Sequence, residues 1–227
     1  MKLFYLKITI FLLFLLSNSG FSQTTLSAGD IAIVGVNADV PKQFSFVLLV
    51  DIQAATKIYF TDSGVLSDGT FRANEGALLY IAPTDLSAGK LITYSDTAAD
   101  FTAANDTNVG TNGFNLSTSG DQIIAFGGST ASPIFLFALQ TNSNAFQAEA
   151  TNSNTSTLPP GLTVGINAVA VGAGAGDGDE YDNSAYNLSL TEGNKSTLLA
   201  AIADQVKWVG NNSFITLSTA DFTVTTE

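Results

Sequence analysis

The residues most able to do chemistry crowd one glycine-rich stretch, Gly176-Asp177-Gly178-Asp179-Glu180-Tyr181-Asp182-Asn183. Hard cations such as calcium take roughly six to eight oxygen ligands from just these residue types. Carboxylates this close along the chain repel one another unless a cation neutralises them. Asp177, Asp179, Glu180, Asp182 and Asn183 are therefore candidate calcium ligands. Their spacing departs from the EF-hand loop, because Tyr181 stands at a ligand position, and it lacks the repeat of a calcium-binding β-roll. A solvated acidic hairpin accounts for the same residues without an ion.

A second set is spread along the chain. Asp62, Glu75 and Asp121 fall at the ends of apolar runs, and Arg72 precedes Glu75 by three residues. A glycosidase works with two carboxylates about 5 to 9 Å apart, one of raised pKa, so Asp62 with Glu75 would be the pair of a secreted hydrolase. Asp62 and Asp121, however, lie in Thr61-Asp62-Ser63-Gly64 and Ser119-Gly120-Asp121, where a carboxylate that accepts backbone N–H bonds is the ordinary structural device. The chain has no His and no Cys. That removes Ser-His-Asp and Cys-His nucleophiles, thiolate or imidazole metal sites, haem ligation by either residue, and every disulfide. No catalytic residue is assigned, and the balance is against an enzyme. Tyr181, Tyr186, Phe71 and the single Trp, Trp208, could form a sugar-stacking face, but core packing is the default for such rings.

Those residues must be carried by a chain of 227, which opens with a leader. Lys2 and Lys7 precede the apolar run Ile8 to Leu16, which Ser17-Asn18-Ser19-Gly20 breaks well short of the roughly 20 residues a membrane span needs. Residues 1–22 read as a signal peptide, with Gly20 and Ser22 as small residues before the cut, and the absence of Cys excludes a lipid anchor. The expected product is a single domain, residues 23–227, secreted or displayed at the cell surface. With 45% hydrophobic and 12% charged residues it has ample material for a core. Without the leader's lysines, six cations face 20 acidic residues, a net charge of −14. Lys42, Lys57, Arg72, Lys90, Lys195 and Lys207 are scattered singly, so neither a nucleic-acid backbone nor an anionic membrane is an expected partner.

Apolar runs of strand length recur at Ile31 to Val36, Phe44 to Ile52, Lys57 to Thr61, Ala77 to Ala82, Lys90 to Tyr94, Gln122 to Phe126, Pro133 to Leu139, Leu162 to Val171 and Phe214 to Leu217. Gly, Asn, Asp and Ser clusters separate them, which predicts an all-β sandwich or barrel of about nine strands. Phe44 to Ile52 and Ile134 to Leu139 are apolar on both pleat faces and should be central strands. One segment has helical spacing: Leu198, Leu199, Ile202 and Val206, with Ser196 or Thr197 as N-cap and Gly210 as terminator. It predicts a C-terminal helix of about three turns whose Leu198, Ile202 and Val206 face inward to plug the sandwich. Thr97 to Asn115 and Thr141 to Pro160 are polar and long enough to be functional or mobile loops.

The order of the pieces carries a resemblance. Ala28-Gly29-Asp30-Ile31-Ala32-Ile33, Phe44-Ser45-Phe46-Val47-Leu48-Leu49, Ile58-Tyr59-Phe60-Thr61-Asp62-Ser63-Gly64, Ala88-Gly89-Lys90 and Asn115-Leu116-Ser117-Thr118-Ser119-Gly120-Asp121-Gln122-Ile123 follow one another. Over roughly residues 28 to 140 the chain resembles the lamin-tail-like β-sandwich modules of exported bacterial proteins. That resemblance implies an immunoglobulin-like sandwich without an active site of its own, found beside extracellular nucleases, phosphatases or adhesion repeats. The expected function is a non-catalytic, monomeric secreted or cell-surface interaction module whose partner is an extracellular protein or polysaccharide. The alternatives are the Asp62/Glu75 hydrolase and a calcium-dependent carbohydrate-binding or adhesion module.

Overall fold

A computed structural model of the chain describes residues 23–96 and 98–226. Thirteen strands, numbered in chain order, fall into three sheets. The first has five strands in the order β12 (Trp208–Asn211), β10 (Asn183–Tyr186), β1 (Ile31–Asn37), β2 (Gln43–Leu48), β5 (Leu91–Ser95). The second has six, in the order β6 (Phe101–Ala103), β4 (Ala77–Ile81), β3 (Lys57–Thr61), β7 (Gln122–Ser129), β8 (Ser132–Gln140), β9 (Ala168–Ala170). A small parallel pair joins β11 (Glu192–Asn194) to β13 (Thr223–Thr225). Among the described residues there is one α-helix, α1 (Lys195–Ile202). No described helix is long and apolar enough to cross a membrane. The expected signal peptide, residues 1–22, lies outside the described residues.

Alternation puts Phe44, Phe46 and Leu48 of β2 on one pleat face, and the five-stranded sheet turns that face toward the other sheet. The contact is made by rings. Phe60 of β3 lies 4.8 Å, centroid to centroid, from both Phe44 and Phe46, and Phe46 meets Tyr80 of β4 edge-on at 5.7 Å. Phe44, Phe46 and Phe60 are fully buried. Two sheets sharing one aromatic layer make the chain an all-β sandwich.

The six-stranded sheet is covered on its other face as well. Ile124, Phe126 and Ala138 join Val65, Phe71, Val109, Phe135 and Leu162 in a second core. This is why β7 and β8 carry apolar residues on both faces. The cover includes the segment from Thr141 to Pro160, which is a hydrogen-bonded strap and not a free loop. Val65 N–H donates to Ser156 Oγ at 2.9 Å, Thr157 N–H to the Val65 carbonyl at 2.9 Å, and Gln147 N–H to the Ser156 carbonyl at 3.0 Å. A Cβ at Gly64 would run into the Thr155 carbonyl and approach Ala150 Cβ at 3.4 Å. Gly64→Ala should therefore lift the strap and cost about 1 to 3 kcal/mol, as overpacking against a backbone does. Limited proteolysis will read this as faster cleavage between residues 141 and 160 than in the parent, and equal cleavage rates would refute it.

Several elements differ from expectation. Only Ala168–Ala170 of the run Leu162 to Val171 is a strand, because Thr163–Asn167 closes a turn in which Asn167 Oδ1 accepts from Thr163 N–H at 2.6 Å. Phe214 to Leu217 forms no strand. There Asn37 takes the place of a strand partner: its Nδ2 donates to the Ile215 carbonyl at 2.7 Å and its Oδ1 accepts from Ile215 N–H at 3.0 Å. The helix starts two to three residues earlier than the Ser196 or Thr197 cap predicts and stops sooner than its apolar spacing suggests. Asn194 is its N-cap, accepting from Thr197 N–H, and the chain breaks after Ile202 into a 3-10 turn, Gln205–Lys207. Leu198 and Ile202 are buried as expected, whereas Val206 is 84% exposed. Trp208 packs against the main core and donates its indole Nε1 to the Ile202 carbonyl at 2.7 Å, closing the helix terminus.

Candidate functional site

Register brings three distant carboxylates to one end of the sandwich. Thr61 pairs with Ala77 on one side and Ile124 on the other, so Asp62, Gly76 and Ile123 follow in line and Asp121 and Glu75 sit just beyond. Thr61 fixes the corner: its hydroxyl donates to the Gly76 carbonyl at 2.5 Å and accepts from Ser63 N–H at 3.0 Å. Asp62 then accepts Gly76 N–H on Oδ1 at 3.2 Å and Asn115 N–H on Oδ2 at 2.5 Å. Asp121 accepts Ser117 N–H at 2.7 Å and Gln122 N–H at 2.8 Å. Lys42 Nζ bonds Asn115 Oδ1 at 2.5 Å and the Leu116 carbonyl at 2.6 Å, pinning the backbone that serves Asp62.

One acidic oxygen from each of Asp62, Glu75 and Asp121 lies within 4.8 Å of the others. Among the described residues this is where three such groups gather. Asp62 is fully buried and Asp121 is 3% exposed. Glu75 Oε2 and Arg72 Nη1 are buried without a hydrogen-bond partner.

Burial pushes Asp62 up to about 6, against the pull of the Asn115 and Gly76 amides and the Lys42 charge. Burial and then the Asp62 charge push Glu75 up to about 9, while Arg72 draws it down. Asp121 is raised by burial and by Glu75 and Asp62. At neutral pH the trio therefore keeps at least one proton, which removes part of the repulsion that three charges would create. Oxygens at this spacing also match what one hard cation spans, so protons and a cation compete for the same place.

Asp62 and Asp121 are closed off from a substrate, whereas Glu75 is half-buried. Wider depressions on the surface are lined by Asp68 to Phe71 with Asn108 and Pro133, by Asp51 to Gln53 with Asp85 to Ser87, and by Gln23 to Leu26 with Lys57; Asp62, Glu75 and Asp121 line none of these.

No family model, curated protein or solved structure matches the chain.

The acidic stretch after Gly176 has a different form. Asp179 folds back to accept Gly176 N–H at 2.9 Å, Asp177 accepts Asn152 Nδ2 at 2.9 Å, and Gly178 N–H reaches Asn142 Oδ1 at 3.4 Å. Glu180 is raised to about 7 by burial and by its neighbour Asp182. Asn183 is buried in β10 and turns to Asp39, donating to its Oδ2 at 2.9 Å. Of the five candidate ligands, Asp177 thus faces the strap, Asp179 its own loop and Asn183 the β1–β2 corner. No three of their carboxylates come within the spacing found at Asp62, Glu75 and Asp121.

The four aromatic residues are dispersed. Phe71 belongs to the second core, stacking near Phe126 and Phe135; Tyr186 and Trp208 belong to the first; Tyr181 lies over Gly210, whose Cβ would collide with its ring. Sequence reasoning found each member of the trio but not their meeting, and it missed Ser63, Asn115 and Lys42 as the groups that brace it. The signal for Asn115 and Ser117 was present only as turn chemistry before Asp121.

Proposed function

We propose that the chain is a non-catalytic interaction module, exported and monomeric, built as a lamin-tail-like variant of the immunoglobulin-type sandwich. The observation that carries this reading is the burial of Asp62 and Asp121. Asp62 and Asp121 spend their oxygens on backbone amides that hold the 62–64, 74–77 and 115–122 segments together, and neither presents a face to solvent. A glycosidase pair must flank a sugar ring and a water, with one carboxyl donating to the leaving group. A fully buried Asp62 braced on both oxygens has no room for either. The remaining surface is that of a scaffold whose loops and strap are fixed by hydrogen bonds, which suits recognition without chemistry.

A panel of polysaccharides, nucleotides and phosphoesters tests this directly. The expected result is no turnover above the blank for the mature chain. Turnover of any member that disappears in Asp62→Asn would overturn the reading in favour of the hydrolase.

A further inference from the structure

Two surface depressions of about 510 and 530 Å³ lie side by side and share Asp68, Gly69 and Pro133 as a common wall. One runs toward Asn108 and Thr130, the other toward Ile134, Phe135 and Pro160. Together they form a groove along the turn that precedes Phe71. Gly69 joins the halves: it has φ of +85°, and a Cβ there would meet Pro160 Cγ at 2.9 Å, so the turn and the proline abut with no side chain between them. Ala73, on the groove's lining, holds φ of +59°, a left-handed conformation rare for a residue with a Cβ and concentrated at functional sites.

The lining alternates apolar plates with fixed polar groups. Pro133 and Pro160 provide hydrocarbon at the surface, Ile134 is 45% exposed beside them, and Phe71 and Phe135 are buried beneath. The polar groups are held before any ligand arrives. Asp106 accepts Asn108 N–H at 2.7 Å, Asn108 Nδ2 at 3.3 Å and the Thr130 hydroxyl at 2.5 Å, which orients the Asn108 amide and leaves its Oδ1 without a partner among the described residues. Asp68 Oδ1 accepts Thr70 N–H at 2.9 Å and its hydroxyl at 2.6 Å. Those bonds keep Asp68 below the usual carboxylate range and therefore charged.

No lysine or arginine lines either depression, and the charges present, Asp68 on the wall and Asp106 behind the rim, are negative. Phosphates, sulfates and uronates are repelled by such a groove. A neutral sugar fits it: the C–H face of a pyranose packs on Pro133, Pro160 and Ile134, and its hydroxyls meet oriented amide, hydroxyl and carboxylate oxygens. The geometry points to the Asp68–Asn108–Pro133–Pro160 groove as a binding site for a neutral oligosaccharide. This deepens the interaction-module reading and rests on it.

Affinity gel electrophoresis of the mature chain in neutral polysaccharides (xyloglucan, glucomannan, mixed-linkage β-glucan, starch) and in anionic ones (pectate, alginate) is the test. Retardation by at least one neutral polymer is expected, with none by the anionic pair. The double variant Asp68→Ala/Asn108→Ala should weaken retardation at least tenfold with its melting temperature unchanged, while Val209→Ser, on the distant β12 edge, should leave it intact. Should the double variant fold poorly, Thr107→Trp keeps the backbone and fills the first depression, and it should block binding to the same extent. Absence of retardation by every neutral polymer, retardation by the anionic ones alone, or binding undiminished in the groove variants would each overturn the assignment. Such a failure leaves the module reading standing, since that reading falls only on turnover dependent on Asp62.

Discussion

Melting of the mature chain should occur at a lower temperature at pH 8.5 than at pH 5, by about 6 to 12 °C. The cause is the buried trio. A carboxylic acid whose folded pKa lies above its unfolded value holds its proton more tightly in the native state, so the unfolded state binds fewer protons and stability falls as pH rises. The stabilising contribution is complete below about pH 4, the unfolded range, and is lost as pH passes the folded values, about 6 for Asp62 and about 9 for Glu75. Asp121 is shifted in the same direction. One pKa unit corresponds to about 1.4 kcal/mol. Discounted for the solvent access that Glu75 retains, the combined loss by pH 8.5 is about 3 kcal/mol, and a domain of this size shifts by about 2 to 4 °C per kcal/mol.

The excess of acidic over basic residues, a formal charge of −12 over the whole chain, also disfavours the folded state at high pH, so a variant must separate the local from the diffuse cause. Glu75→Gln keeps the shape and removes the acid that burial and the Asp62 charge push up to about 9. It should match the parent near pH 5, exceed it at pH 8.5, and flatten the slope above pH 6. Asp62→Asn should do the reverse at low pH, because an amide nitrogen replaces one of the two oxygens that accept Gly76 and Asn115 N–H, and it should destabilise at every pH. A parent curve that is flat or rises from pH 5 to 8.5, with Glu75→Gln superimposed on it, would show that the trio carries no excess protons.

The same trio shows where sequence reading reaches its limit. Asp62 and Asp121 are legible one at a time, since Thr-Asp-Ser-Gly and Ser-Gly-Asp are turns that want a carboxylate acceptor, and both accept backbone N–H bonds. Their meeting depends on which residue of β3 faces which residue of β4 and β7. That choice is made by the pairing of Phe60 with Leu78 and Ala125, a tertiary outcome that no local pattern encodes. Length divides the strands in a similar way. β2 and β8 are readable because burial on both faces leaves a continuous apolar run, whereas Asn183–Tyr186 and Glu192–Asn194 are short and largely polar and become strands only by adding to β1 and β13. The polar composition of Thr141 to Pro160 suggested mobility, yet its Ser and Thr hydroxyls are spent on β3's continuation, which makes it a wall of the second core.

Phe60→Ala should be the most damaging single truncation within the sandwich. Its ring touches β2 at two positions, Phe44 and Phe46, both at 4.8 Å, and approaches Phe101 of β6 at 6.2 Å, so it is shared by the two sheets and by both ends of the aromatic layer. Replacing it removes buried hydrocarbon and leaves a cavity whose walls, Phe44, Phe46 and Ile58, are held by their own strands and cannot close in. Losses for buried Phe→Ala run at about 3 to 5 kcal/mol, equivalent here to about 6 to 20 °C in melting temperature. Phe71→Ala tests whether the second core is an independent unit. Phe71 contacts Phe126 and Phe135 at 5.2 and 5.8 Å on the opposite face of the six-stranded sheet, and its loss should release the strap before it unfolds the sandwich. Calorimetry resolves the two cases. Phe60→Ala should lower a single transition, and Phe71→Ala should speed cleavage of residues 141–160 with a smaller shift of that transition. If Phe71→Ala instead lowers the transition as far as Phe60→Ala does, the strap and the sandwich fold as one body and the second core is as essential as the first.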